Sequence, residues 1–543
     1  MLNYALVNRL KIKRYVLNYR SGDRFLFNDL FRILLERNSA QVLLNILQRN
    51  DKIFKYSSNI WVFKILIYLK LGESQKIEAA FNFLMTENRR ISPYYFELNI
   101  FREAYEYILP SYSLKNLRNL FKTDTEILLR KFIIGHTLCV TEPEKFVPEL
   151  IQFQAEINQS NSFSSELYLL EITDIEAVCS ARTEVKPSYS MQFQEPKCFG
   201  DKALPLARSV PVPAAIVWTI KDCQLIGASQ ITKDKKFIVY EKSGDPKIGF
   251  IAGIWNFVIY IKNSNHVLIN RYFKKINHHK SGVLIAGRCS QNYFHWLIEY
   301  VPKILNILAV QKLDSPLIVD ATMPEQSYAI LDFICKKYSL KYIRTNPEEL
   351  LNFDELIVPS QHTFQPDDPA FSFWESSALS FEHLEFISNI GLEMALQNPI
   401  SIKHDKIYLT RKNFTARKIV NEKEIECLFQ KHDFHIIDPT SLSFVEQVQL
   451  FANAKIIASP TGAALSNLIF CQANTQILSL VASENKGFCI QANIAKFKKL
   501  NFMHITGDLV QKREAFNSYQ EYRFSEFQMD LPKLEQALLE LEI

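Results

Sequence analysis

Between Tyr408 and Asn467 three short apolar stretches each run into a polar turn and then toward a helix: YLTRKNFTARKIVNE, HIIDPTSLSFVEQV and KIIASPTGAALSNLIF. Strands this apolar, bounded by turn residues and spaced by helical patterns, belong to a parallel sheet covered on both faces. Such sheets bind ligands outside the carboxyl ends of their strands, and a helix N-terminus placed there favours phosphate. The second half of the chain is thereby restricted to an α/β architecture.

The same pattern extends upstream. VLIAG (Val283 to Gly287), PLIVD (Pro316 to Asp320), KYIRT (Lys341 to Thr345) and ELIVPS (Glu355 to Ser360) alternate with helical stretches, and QILSLV and NFMHIT follow downstream. Two α/β units in tandem, joined near Asn398 to Asp405, predict two facing Rossmann-type domains with a cleft between them: residues 210–400, opening on β-rich runs such as AAIVWTI and KFIVYE, and residues 401–543. Ahead of them, residues 1–157 are helical by spacing, as in Phe25, Leu26, Leu30, Ile33 and Leu34, and read as stacked, solenoid-like helix pairs. Residues 158–209, richer in Ser, Glu and Pro, read as a linker or irregular cover.

Composition narrows the function classes. At 543 residues with a net charge of +5, the charge bias is weak and lacks the basic stripe of a nucleic-acid binder. KIKRYVLNYR at Lys11 to Arg20 suits either a solvated helix face or an anionic membrane surface. Arg9, Lys11 and Lys13 interrupt any secretory apolar core, and the run from Ile60 to Leu71 is shorter than a span needs. Nine cysteines without a CxxC pair read as thiols of a reducing cytosol.

Three constellations carry chemistry. In NYFHWLIE (Asn292 to Glu299), a helix starting near Phe294 places His295 and Glu299 four apart on one face, a general base with an orienting partner or an ordinary exposed pair. Arg411 and Arg417, after the strand KIYLT, suit a diphosphate through planar guanidinium forks, although Arg417 also suits an ion pair with Glu422 or Glu424. Thr461, Gly462 and Ala463, in SPTGAA, let a ligand approach the backbone at a helix start. Ser443 with Glu446 fits a capping box, and Asn421 with Glu424 fits one loosely. Asp367-Asp368, the nearest approach to a metal clamp, fits a proline-bounded turn better, so no metal is expected.

In this order, NYFHWLIE, YLTR…R…NE with Arg411, Arg417, Asn421 and Glu422, and SFVEQV…GAALSN resemble glycosyltransferase family 61, which includes bacterial capsule-type transferases and eukaryotic sugar transferases. The likeness covers roughly Val283 to Thr506. It implies a GT-B-like pair of domains and inversion at the anomeric carbon without an obligatory metal or other cofactor. It implies a nucleotide-sugar donor, UDP being the expected nucleotide, held by Asn292, Arg411, Arg417, Thr461, Gly462 and Ala463. Glu299 is then the base that deprotonates the acceptor hydroxyl, with His295 assisting. Family members commonly carry His where this chain has Thr461, and often Asp where it has Glu299. The acceptor implied is a surface glycan of the capsule or lipopolysaccharide kind, free or lipid-linked, modified in the cytoplasm with peripheral contact at the inner membrane. A nucleotide-sugar epimerase of similar architecture, or a helical-repeat scaffold with a degenerate nucleotide-binding module, are the competing expectations.

Overall fold

The computed structural model describes residues 164–540, apart from 202–204, 228, 242–257, 261–265, 274, 288, 311–313, 347–348, 366–376, 400–401, 413, 415–416 and 512–524, and six positions before them (44, 64, 67, 68, 71 and 76). The solenoid-like region, the Lys11 to Arg20 cluster and Asp367-Asp368 therefore lie outside the described residues. The chain divides into two compact units, residues 1–169 with 257–272, and residues 170–256 with 273–543. In the first unit, Val258 to Tyr260 pair antiparallel with Val267 to Ile269.

The second unit holds both α/β regions. In the first, β1 (Ala215–Ile226), β2 (Lys275–Leu284), β3 (Leu317–Asp320), β4 (Tyr342–Thr345) and β5 (Glu349–Pro359) lie in the order β4-β3-β2-β5-β1. The first four of these are mutually parallel and β1 is antiparallel to β5. Counting from β2, the parallel strands run 3-2-1-4, the first part of a doubly wound order, whose switch point falls between β2 and β5.

The second region has β6 (Lys406–Leu409), β7 (His435–Ile437), β8 (Ile456–Pro460), β9 (Gln476–Ala482) and β10 (Asn501–Leu509), ordered β7-β6-β8-β9-β10 and all parallel. This is the 2-1-3-4-5 order, with its switch point between β6 and β8. β8 and β9 are buried along nearly their whole length, as strands covered on both faces must be.

Two expectations are corrected. The segment 158–209 is not an irregular cover: it forms strands Ser164–Asp174, Ala181–Lys186, Tyr189–Gln194 and Ala207–Val212. Met191, Phe193, Val210 and Val212 point inward at period two while Ser190, Gln192, Ser209 and Pro211 lie on the other face, so the polar composition concealed a one-sided hairpin. The second correction concerns the two facing domains. No break between compact units falls at 400/401, because one hydrophobic cluster runs from Val283 and Trp296 through Leu384 and Ile387 to Ile457 and Ile477.

That continuity comes from the helix Phe381–Gln397, begun at Ser380, whose side chain accepts from the His383 N–H. It lies against both the helix Phe444–Asn453 and the turn of helix at Ala463–Phe470. Gly391 faces Phe470: a Cβ there would stand 2.3 Å from the ring, which is fully buried. Alanine at a helical glycine gains about 1 kcal/mol of propensity, whereas overpacking a closed core costs about 1–3 kcal/mol. The clash should win, so Gly391→Ala lowers the urea midpoint of unfolding followed by tryptophan fluorescence; an unchanged or raised midpoint would show that the ring has room to move.

Candidate active site

Each parallel sheet carries one of the predicted constellations at its switch point. In the first, the chain leaves β2 through Ile285-Ala286-Gly287, turns, and enters a helix at Phe294. Gly287 is required by close packing, since a Cβ would fall 2.1–2.4 Å from the Tyr300 ring. Residues His295–Tyr300 are a π-helix rather than the expected α-helix, with Val301 N–H bonded to the Trp296 carbonyl. Pro302 accounts for this: it has no N–H for the Ile298 carbonyl, and its ring crowds that carbonyl in α geometry. The wider turn brings residues four apart closer to eclipsed, and His295 Nδ1 meets Glu299 Oε2 at 2.7 Å.

This pair is buried, unlike the ordinary exposed pair the spacing also allowed. Glu299 Oε1 accepts from the Gln365 backbone N–H at 2.7 Å, and Oε2 accepts from Gln361 Nε2 at 3.2 Å as well as from His295. Because a carboxylate only accepts, Nδ1 of His295 is the donor in this contact, which in a neutral imidazole leaves the lone pair on Nε2. That Nε2 has no partner among the described residues and is not one of the sealed, unpartnered atoms. Asn292 is exposed, and its Oδ1 accepts from the Phe294 N–H at 2.9 Å, so it caps the helix entrance.

Behind Gln361 lies a buried polar cluster. His362 Nε2 is 2.7 Å from Ser360 Oγ, and Asn306 Oδ1 is 3.2 Å from His383 Nε2. Burial pushes His362 down to about 4, helped by the Lys303 charge, and depresses His383 for the same first reason. Glu241 accepts from the Gln361 N–H, and burial pushes its carboxyl up while Lys303 opposes the shift.

At the second switch point Arg411 follows β6 and Gly462 follows β8. The Arg411 backbone N–H donates to Glu422 Oε1 at 2.6 Å, and Thr410 Oγ1 donates to the same oxygen at 3.0 Å. Its guanidinium lies on Gly462, where a Cβ would stand 2.1 Å from Nη1, and Nη1 donates to the Thr461 carbonyl at 3.4 Å. Gly462 is extended, so glycine is needed there for the approach of Arg411 and not for a left-handed backbone. Burial lowers the Arg411 pKa, with Glu422 pushing back, and an arginine stays charged regardless.

The rest of the predicted set divides. Ala463 begins a 3₁₀-helix, Ala463–Phe470, half-buried at the turn. The Thr461 hydroxyl turns into the sheet, 3.0 Å from Ser479 Oγ and 3.2 Å from the Leu480 carbonyl, so only its carbonyl reaches Arg411. Arg417 lies on the same connection as Arg411, half-buried and left-handed at φ 54°. The capping box at Ser443 and Glu446 is present. The looser one is not: the Asn421 side chain instead pairs both ways with the Met529 backbone, at 2.8 and 3.1 Å, which uses up its amide.

The two sites are tied together. Tyr293 Oη donates to Asn467 Oδ1 at 2.6 Å, and Asn467 Nδ2 donates to Gln447 Oε1 at 2.8 Å, Asn467 being fully buried. Tyr293 belongs to the His295 block and Asn467 to the GAALSN block, so the sequence blocks that recur in order also meet in space. Residues 293–478 match the family model described as Glycosyltransferase 61. The chain carries a glycosyltransferase family 61 domain. The match is narrower than Val283 to Thr506; it takes in His295, Glu299, Arg411, Arg417, Thr461, Gly462 and Ala463, and begins one residue after Asn292. The protein is a glycosyltransferase. No curated protein matches the chain.

Gln361, Gln365, Tyr293, Asn467 and Gln491, whose Nε2 donates to the Gly462 carbonyl at 2.7 Å, were not singled out from sequence. Gln361 and Gln365 sit just beyond the ELIVPS strand, where the rule that ligands gather at carboxyl ends of parallel strands would have found them.

Two outcomes follow. Gly462→Ala must displace the Arg411 fork, the movable partner of that contact, so nucleoside diphosphate affinity should fall at least about 10-fold, one charge-assisted hydrogen bond's worth. Calorimetric titration reads it, and unchanged affinity would remove Arg411 from the site. The second concerns pH. His362 and His504, the latter also pushed by burial to about 4, are neutral when folded, whereas an unfolded histidine titrates near 6.5. Their contribution is complete above about pH 6.5 and is lost as pH falls toward 4, with a limiting slope of about 1.4 kcal/mol per unit for each. Urea midpoints from pH 7.5 to 4.5 should decline accordingly, and less steeply in His504→Gln.

Proposed function

We propose that the protein is an inverting glycosyltransferase that moves a sugar from a nucleotide-sugar donor, UDP-linked, onto a surface glycan of the capsule or lipopolysaccharide kind. The observation that carries the proposal is the pairing of a buried His–Glu dyad with an arginine-lined glycine turn, each at the switch point of its own parallel sheet and joined by the Tyr293–Asn467 bond.

The dyad supports a division of labour different from the one expected. Glu299 is buried and already accepts three hydrogen bonds, so it fixes the tautomer of His295 and stabilises the imidazolium that forms. His295 Nε2, the open lone pair, takes the proton from the acceptor hydroxyl as its oxygen attacks the anomeric carbon. The departing diphosphate gathers negative charge, and meeting it is a role the proposal gives to Arg411, Arg417 and the amides at the Ala463 turn. A single base acting on the acceptor, opposite the leaving group, gives inversion.

The capsule or lipopolysaccharide acceptor rests on the resemblance to a family with capsule-type members, with a lipid-linked glycan as one form of it. The eight described cysteines are all free thiols, which suits work in a reducing cytoplasm. Among the described residues no helix is long and apolar enough to cross a membrane, and the proposal puts contact with the inner membrane face at the periphery. No group of three His, Cys, Asp or Glu side chains gathers among the described residues as a metal cage.

Glu299→Gln keeps an acceptor for Nδ1 but loses the charge that steadies the imidazolium. Turnover should fall about 10²–10⁴-fold with nucleotide affinity unchanged. Mass-spectrometric product analysis over a panel of nucleotide sugars, with and without glycan acceptor, reads this. Normal turnover would sink the dyad, and donor conversion with no acceptor present would point to an epimerase.

A further inference from the structure

Glu299 is held from the side opposite His295 by a short segment after β5, and that segment is itself anchored. Gln361 uses both of its amides: the side-chain Nε2 donates to Glu299 Oε2, the oxygen that also receives His295 Nδ1, while its backbone N–H donates to Glu241 Oε1. Ser360, the preceding residue, is pinned in turn, its N–H on the Ile216 carbonyl and its hydroxyl accepting from the Ile216 N–H at 2.8 Å. The amide of Gln361 thus has one orientation available, with nitrogen toward the carboxylate.

We infer that Gln361 is a positioning residue of the dyad, which shares the Glu299 oxygen with His295 and so sets how strongly that carboxylate holds the imidazole proton, and that Glu241 acts through Gln361. The inference rests on His295 and Glu299 being the catalytic pair. An N–H donor on Oε2 disperses the carboxylate charge; without it, more of that charge falls on Nδ1–H and the imidazolium is favoured. Gln361 therefore competes with His295 for the charge on Glu299 Oε2. The charged and titratable groups around this arrangement are Glu299 and Lys303 on the helical segment, Glu241 after the strand Phe237–Tyr240, His362 beside Gln361, and His383 on the helix Phe381–Gln397.

The test needs no substrate. Full-length protein labelled with ¹³C at histidine Cε1 gives eleven resonances, and the one lost in His295→Gln belongs to His295. Its titration midpoint in Gln361→Met, which keeps the length and removes the donor, should rise by about half a unit or more. Glu241→Leu and Glu241→Gln both remove a charge, but only the glutamine leaves an oxygen for the Gln361 N–H. The midpoint in Glu241→Leu should therefore lie above that in Glu241→Gln, a comparison that stands even where Gln361→Met does not fold. A wild-type midpoint in Gln361→Met overturns the assignment, and coincident midpoints in the Glu241 pair remove Glu241 from it. Persistence of transfer in His295→Gln would instead overturn the reading of the dyad, which the titration does not touch.

Discussion

A carboxylate can be carried into a protein interior only if donors meet it there, and Glu299 imposes that demand on the edge of the first sheet. Its three donors come from two directions: His295 from its own helix, Gln361 and Gln365 from the chain leaving β5. The strand order 3-2-1-4 puts the carboxyl ends of β2 and β5 side by side, so both directions are available at one point. Without the crossover that makes β2 and β5 neighbours, the helix after β2 would have nothing to face. The buried charge and the sheet topology are thus two aspects of one constraint.

The second sheet solves a different problem. Arg411 is a cation drawn into a partly desolvated position, and it is kept there by a backbone anchor and a missing side chain. Glu422, the first residue of the helix Glu422–Lys431, takes the Arg411 N–H and the Thr410 hydroxyl, fixing where the strand ends. Gly462 then leaves the space the guanidinium occupies, and Gln491 holds the Gly462 carbonyl from the far side. A glycine that sequence logic assigns to ligand approach is used here for the approach of a side chain, and the ligand would meet that side chain.

How much of this was legible in the sequence depends on how local the cause is. The apolar runs of β6, β8 and β9 declare parallel strands because burial on both faces leaves no polar alternation. The hairpin Tyr189–Gln194 with Ala207–Val212 was not legible, because Ser, Gln and Pro on its outer face mask a period-two inner face of only four residues. His295 and Glu299 were legible as a spacing, yet the π-helix that joins them was not, although Pro302 was there to signal it. The side chain of Thr461 could not be placed from sequence at all: whether a hydroxyl at a strand end faces ligand or sheet depends on Ser479 and Leu480, which arrive from another strand. For the same reason Gln361 was invisible, since its importance lies in a contact 62 residues back along the chain.

The Tyr293–Asn467 bond gives the two edges a common frame. Tyr293 stands two residues before His295, and Asn467 five after Gly462, so only short stretches of backbone separate the tie from either site. Asn467 is fully buried and Tyr293 partly so, and the Asn467 oxygen and nitrogen are each engaged, by Tyr293 and Gln447, which fixes the orientation of the amide. Burial raises the Tyr293 pKa, so the hydroxyl keeps its proton and remains the donor. A transferase must hold donor and acceptor groups at one separation while charge moves from one to the other, and positional slack of even an ångström is costly in rate. Dispersion contacts have little directionality, and packing along the helix Phe381–Gln397 is pinned by polar bonds as well, Ser388 Oγ donating to the Ile469 carbonyl at 2.7 Å and Gln449 Nε2 to the Ala395 carbonyl at 3.1 Å. The Tyr293–Asn467 bond adds a directed contact to these at the point nearest both edges, where positional slack matters most.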